Sequence, residues 1–231
     1  MVQVDRFFKY MLRAHAQEML QEGVLRIGTL LYYRASELGP AIGDADEGRS
    51  ETVQAIEGSL DIARPENRTW VTNKLFSVGR NAKNVVLQDL SLSVPEQSAD
   101  LHVYCASHRF SRRAMTEFNA DACVMVSNPH AFVTAVVGRL RRMGIISAAT
   151  LTPCDYSGRR RSETMPRVHP AVLKDASYSY QHEIRLIMTP TAAPPLRSFF
   201  VSIPEIRPLC RLLSEDEVAS LSVAENLIGS A

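Results

Sequence analysis

The chain has 231 residues, enough for one substantial core and short for two independent ones. Its hydrophobic share of 45% and charged share of 22% are ordinary globular usage. A net charge of +1 argues against a generally basic, DNA-coating protein, though a local basic patch stays open.

Residues 4 to 10 read as extended. Asp5, Arg6 and Lys9 interrupt the apolar residues there, so this stretch lacks the apolar block of a signal peptide. No run approaches the ~20 apolar residues of a membrane-crossing helix. Leu12 to Glu22 reads as a helix, with Leu12, Ala16, Met19 and Leu20 on one face and Gly23 as its C-terminal cap. Val24 to Tyr33 reads as a strand, because β-branched and aromatic residues dominate it. Residues 35 to 51 are polar, acidic and Gly-rich, which predicts a loop. Strand candidates follow at Trp70–Val78 and Val85–Val94.

The second half is more sharply punctuated. Leu101–Ser107 and Ala122–Val126 read as strands around a short helix at Ser111–Phe118. Asn128-Pro129 is a helix start, with Asn as cap and Pro in the first turn, and that helix runs to Met143 before Gly144. Ile145–Thr152 reads as a strand, and Pro153–Pro170 as a polar, basic loop. Glu183–Thr189 and Phe199–Ile203 alternate as strands around a loop at Pro190–Pro195. Ser214-x-x-Glu217 is a capping box that opens a C-terminal helix. Helices and strands mix without steady βαβ alternation, and the late strands lie close together. This predicts one α+β domain over residues 1–231, with a mixed, mostly antiparallel sheet and flanking helices. Four cysteines, Cys105, Cys123, Cys154 and Cys210, are widely spaced with no Cys-x-x-Cys pair. That argues against a zinc site and a disulfide scaffold, and favours a cytoplasmic protein.

Several groupings carry possible chemistry. Tyr32 and Tyr33 supply flat walls for a base or nicotinamide. Arg26 or Arg34 could grip a pyrophosphate through bidentate hydrogen bonds, and Gly28 beside Thr29 would let a ligand approach the backbone. The plainer alternative is a half-buried strand with a solvated Arg26. The run Asp44 to Glu51 could bind a cation, place a carboxylate near the same cleft or be a solvated turn; its spacing is not that of a calcium loop. In a strand, Glu183 and Arg185 share a face, which can orient a carboxylate and tune its pKa, or can simply be a surface ion pair. Cys105 points away from His102 and His108 by strand alternation, which disfavours a thiol nucleophile. Ser107, at the strand end, is the better ligand-contacting hydroxyl. Arg159-Arg160-Arg161, in a flexible loop, could contact nucleic-acid phosphate or an acidic protein.

Taken in order, these pieces form a pattern: Lys9-Tyr10, Gly-x-Leu-Arg-Ile-Gly-Thr at Gly23–Thr29, Asp46-Glu47, Tyr-Cys-x-Ser at Tyr104–Ser107 and Tyr-x-Tyr-Gln-x-Glu-x-Arg-Leu at Tyr178–Leu186. The pattern resembles a widespread bacterial and phage family, some members of which are regarded as diverged ADP-ribosyltransferases in toxin, phage-defence and anti-defence settings. The resemblance implies an ADP-ribosyltransferase-like fold and NAD as substrate. It implies a protein or nucleic-acid acceptor, and an antitoxin or defence-system partner. Glu183 would be the transferase glutamate. Tyr10, or Lys9 beside it, would stand where relatives place the first-strand His or Arg on the NAD ribose, and Tyr32 and Tyr33 would flank the nicotinamide. The chain departs from the pattern at two points. Its first strand has no His, since His15 falls in the helix, and position 181 is Gln where others carry Glu. A non-catalytic nucleotide- or protein-binding module on the same scaffold is therefore one alternative, and an arginine-led RNA- or DNA-binding protein another.

Overall fold

The computed structural model describes residues 4–34 and 43–229. The loop expected over residues 35–51 lies partly outside the described residues. The chain opens with β1 (Phe7–Met11), α1 (Arg13–Glu22) and β2 (Val24–Thr29), followed by the short helix α2 (Leu30–Tyr33). Then come β3 (Arg49–Asp61), α3 (Trp70–Leu75), β4 (Val86–Gln97), β5 (His102–Ser107), α4 (Arg112–Glu117) and β6 (Ala122–Val126). The rest is α5 (Pro129–Arg142), β7 (Ile146–Pro153), β8 (Arg160–Ser162), β9 (Glu183–Pro190), β10 (Phe199–Ser202), β11 (Cys210–Leu212) and α6 (Glu215–Gly229). This is an α+β architecture, and every pairing in its main sheet is antiparallel. Among the described residues no helix is long and apolar enough to cross a membrane.

The caps act where the sequence places them. Gly23 closes α1 in the left-handed region, at φ +71°, where a Cβ would sit 2.3 Å from the Ile203 carbonyl oxygen, so only glycine fits. The Asn128 side chain accepts from the Ala131 amide at 3.0 Å. Ser214 and Glu217 exchange bonds of 3.2 and 2.9 Å at the head of α6.

Four expectations are corrected. The strand over Val24–Tyr33 stops at Thr29, because the Thr29 hydroxyl accepts the Tyr32 amide at 3.1 Å and starts α2. Trp70–Val78 is not a strand: Thr69 and Thr72 cap each other reciprocally and turn the chain into α3. Residues 49–61, assigned in part to a loop, form a long strand paired with β4. Finally, β8 lies inside the expected Pro153–Pro170 loop and pairs in parallel with β3.

The main sheet runs β10-β2-β5-β1-β6-β11, with β9 and then β7 added beside β5; β4-β3-β8 form a smaller sheet. Strand β5 organises the site. One edge pairs with β9 from His102↔Met188 to Ser107↔Glu183. The other edge is shared: β2 pairs only at Gly28↔Val103 and Thr29↔His102, and β1 only at Phe8↔Ser107. Between these contacts β1 and β2 part. One face of the sheet packs Phe7, Ile27, Val124 and Ile184 against Met19 of α1 and Phe132, Val136 and Leu140 of α5, all buried. On the other face Phe8, Tyr10 and Cys123 pack against α4 and α6.

Candidate functional site

A cavity of about 470 Å³ lies where β1 and β2 separate. Strands β1, β2 and β5, helices α1 and α2, and the segment 174–185 all contribute to its lining. The open edge of β5 explains one of its groups: Lys9 Nζ donates to the Cys105 carbonyl at 2.6 Å, satisfying an acceptor in the gap that β1 and β2 leave. The Lys9 ammonium also stands 5.1 Å from the Tyr104 ring centre.

The floor is an ionic network. Arg185 reaches two carboxylates at once. Its Nη1 and Nη2 meet Glu47 at 2.5 and 2.9 Å, and its Nε meets Glu183 Oε1 at 2.7 Å. Nη1 also donates to the Ala171 carbonyl at 2.6 Å. Lys174 Nζ lies 2.5 Å from both Glu183 Oε2 and Gln181 Oε1. Glu47, Lys174, Gln181, Glu183 and Arg185 are each less than a tenth exposed. Burial by itself would raise the Glu183 carboxyl, but the charges and hydrogen bonds of Arg185 and Lys174 outweigh it and hold it well below the usual carboxylate range. His182, at φ +43°, ends the preceding 3-10 turn in the left-handed region and so starts β9 at Glu183. The Glu183 amide donates to the Tyr156 hydroxyl at 2.8 Å.

Seven of the sequence-derived site residues line the cavity: Lys9, Tyr10, Arg26, Tyr32, Tyr33, Ser107 and Glu183. Arg26 is exposed, lies 4.4 Å from the Tyr32 ring centre and has no carboxylate partner among the described residues. Its strand neighbour in register is Phe200, which is also in the lining. The Tyr10 hydroxyl is already committed: it accepts from the Ser111 amide at 2.6 Å, and the residue is 7% exposed within the cluster under α4. Its ring, not its hydroxyl, is what it offers the cavity. Burial pushes the Cys105 thiol well up, and Glu183 adds to this, so the cavity holds a neutral thiol and no thiolate nucleophile.

Three other assignments are corrected. Gly28 does not open the backbone to a ligand; the Tyr33 ring fills that space, and a Cβ would meet it at 2.8 Å. Thr29 is 1% exposed and serves as the cap of α2. Arg34 donates to the Glu47 carbonyl at 2.5 Å and fixes the turn that carries Glu47, away from the cavity lining. The arginine triplet is not a flexible loop either. Arg159 turns inward to Asp44, and Arg161, 8% exposed, is held by Asp155 at 3.3 Å, by Ser157 and by the Pro166 carbonyl at 3.2 Å. Only Arg160 faces outward, 3.5 Å from Glu51.

Sequence reasoning missed Lys174 and Tyr156. Lys174 leaves a faint signal: it is one of only four lysines among 26 basic residues, and it follows the apolar pair Val172-Leu173. Among the described residues no group of His, Cys, Asp and Glu could hold a metal ion. No protein-family model, no curated protein and no solved structure matches the chain.

Proposed function

We propose that the chain is an NAD-dependent ADP-ribosyltransferase acting on a protein or nucleic-acid acceptor. The observation that carries this reading is Glu183, a carboxylate kept ionised by Arg185 and Lys174 at the floor of an aromatic-walled cavity. Breaking the nicotinamide–ribose bond creates a cation-like ribose, and a fixed carboxylate stabilises that charge as it develops. Tyr32, Tyr33 and Phe200 supply flat surfaces for the nicotinamide or adenine, and Arg26, which has no carboxylate partner among the described residues, suits the pyrophosphate. A toxin or defence setting, with an antitoxin or defence-system partner, rests on the sequence resemblance.

The second reading, a nucleotide-binding module without turnover, is favoured by one feature. Both Glu183 oxygens are already engaged by cations, which draws off charge that a ribose cation would need. Nicotinamide release and label transfer from radiolabelled NAD in a host lysate separate the two readings. Transfer with the wild type and none with a folded Glu183→Gln variant supports the transferase. Release without transfer points to NAD hydrolysis. Thermal stabilisation by NAD with no release points to the binding module.

A further inference from the structure

The chain uses arginine almost wherever it needs a positive charge, so its four lysines, Lys9, Lys74, Lys83 and Lys174, stand out. Lys74 and Lys83 are exposed, and Lys174 is locked between Glu183 and Gln181. Lys9 is different. It lines the cavity, is half-buried and forms no ion pair with a carboxylate among the described residues. Among the described residues, its side chain donates to a neutral carbonyl, that of Cys105, and an aromatic face lies beside it. Burial is the largest influence on its pKa and lowers it; Cys105 and Glu183 oppose that, and Arg26 adds a smaller downward push. An amine desolvated in a cavity is a setting in which a lysine becomes a nucleophile.

We propose that Lys9 is a nucleophilic amine that forms an imine with a phosphorylated aldehyde or ketone held in the cavity, with Arg26 binding the phosphate. The Nζ lone pair attacks the carbonyl carbon, and the carbonyl oxygen takes up a proton. Loss of one water molecule then leaves a C=N bond. Nothing is oxidised or reduced, and no co-reactant is needed. This capacity is independent of NAD turnover.

The test uses pyridoxal 5′-phosphate as the probe, followed by borohydride reduction and peptide mass spectrometry of the intact chain at neutral pH. Lys74 and Lys83 serve as exposed controls in the same molecule. Adduct at Lys9 is expected to exceed that at either control several-fold. Pyridoxal, which lacks the phosphate, and the Arg26→Ala variant with the full probe are both expected to lose the preference. Lys9→Arg, which keeps the charge and a donor for Cys105, removes the cavity adduct alone. Labelling of Lys9 at or below the level of Lys74 and Lys83 would overturn the proposal. So would equal preference for pyridoxal and its phosphate, since that would remove the Arg26–phosphate contact.

Discussion

Glu47 and Arg185 are 138 positions apart in the chain and meet in a two-point ion pair, Nη1–Oε1 2.5 Å and Nη2–Oε2 2.9 Å, with both side chains almost fully buried. The pair ties the turn before β3 to the start of β9, and Arg34 also holds that turn. Removing one partner of a buried pair leaves an uncompensated charge, which costs ~3–5 kcal/mol. Glu47→Ala is therefore expected to lower the urea midpoint strongly with an unchanged slope. A loss below ~1 kcal/mol would mean that water reaches Arg185 and takes over the role of the carboxylate.

Glu183 makes stability depend on pH in one direction. Its folded-state pKa lies below the ordinary value of 4.5, so the unfolded chain takes up a proton first as pH falls. The Glu183 contribution is complete above about pH 4.5 and drains away below it, toward the lower folded-state value. Urea unfolding of the wild type should weaken through this acid range, and Glu183→Gln should flatten that part of the profile. Equal slopes in the two proteins would show that Glu183 is not held ionised in the fold.

Much of this fold is legible in the sequence wherever a local signal agrees with the tertiary one. Asn128-Pro129, Ser214-x-x-Glu217 and Gly23 bound their helices by local hydrogen bonding, and β5, β6 and β9 follow from simple alternation. The failures have a common cause. Trp70–Val78 has strand-like residues, yet two threonine hydroxyls at Thr69 and Thr72 decide in favour of a helix. Glu183 and Arg185 can be recognised as sharing a strand face. Their partners Glu47 and Lys174 cannot, because no periodicity links a turn, an irregular link between two 3-10 turns and a strand that meet only in the folded chain. The arginine triplet misleads for the same reason: the carboxylates that bury Arg159 and Arg161 lie elsewhere in the sequence or in a turn of its own loop.

Gly28 and Tyr33 form a steric pair that can be tested directly. A methyl group at position 28 would sit 2.8 Å from the Tyr33 ring, closer than van der Waals contact allows, so the ring and α2 must shift. Overpacking of this kind costs ~1–3 kcal/mol. Gly28→Ala alone should lower the melting temperature, whereas the same change in a Tyr33→Ala background should be nearly neutral. Additive losses across this double-mutant cycle would show that Gly28 is needed for its own backbone freedom and not as a seat for the ring.

Adjacent arginines in β8 should behave oppositely. Arg161 is inward, bonded to Asp155 and the Pro166 carbonyl, and its removal strands buried polar partners at a cost of ~1–3 kcal/mol. Arg160 projects to solvent, where one long, exposed pair with Glu51 contributes little, so Arg160→Ala should lie within ~0.5 kcal/mol of wild type. The same geometry bears on nucleic-acid binding. If the triplet acted as a phosphate-binding loop, each Arg→Ala change would reduce the salt dependence of RNA or DNA affinity by a similar amount. With Arg159 and Arg161 folded inward, only Arg160→Ala should alter that slope in a protein that is still folded. Equal effects from Arg160→Ala and Arg161→Ala, on stability and on salt dependence alike, would place Arg161 outside the fold interior.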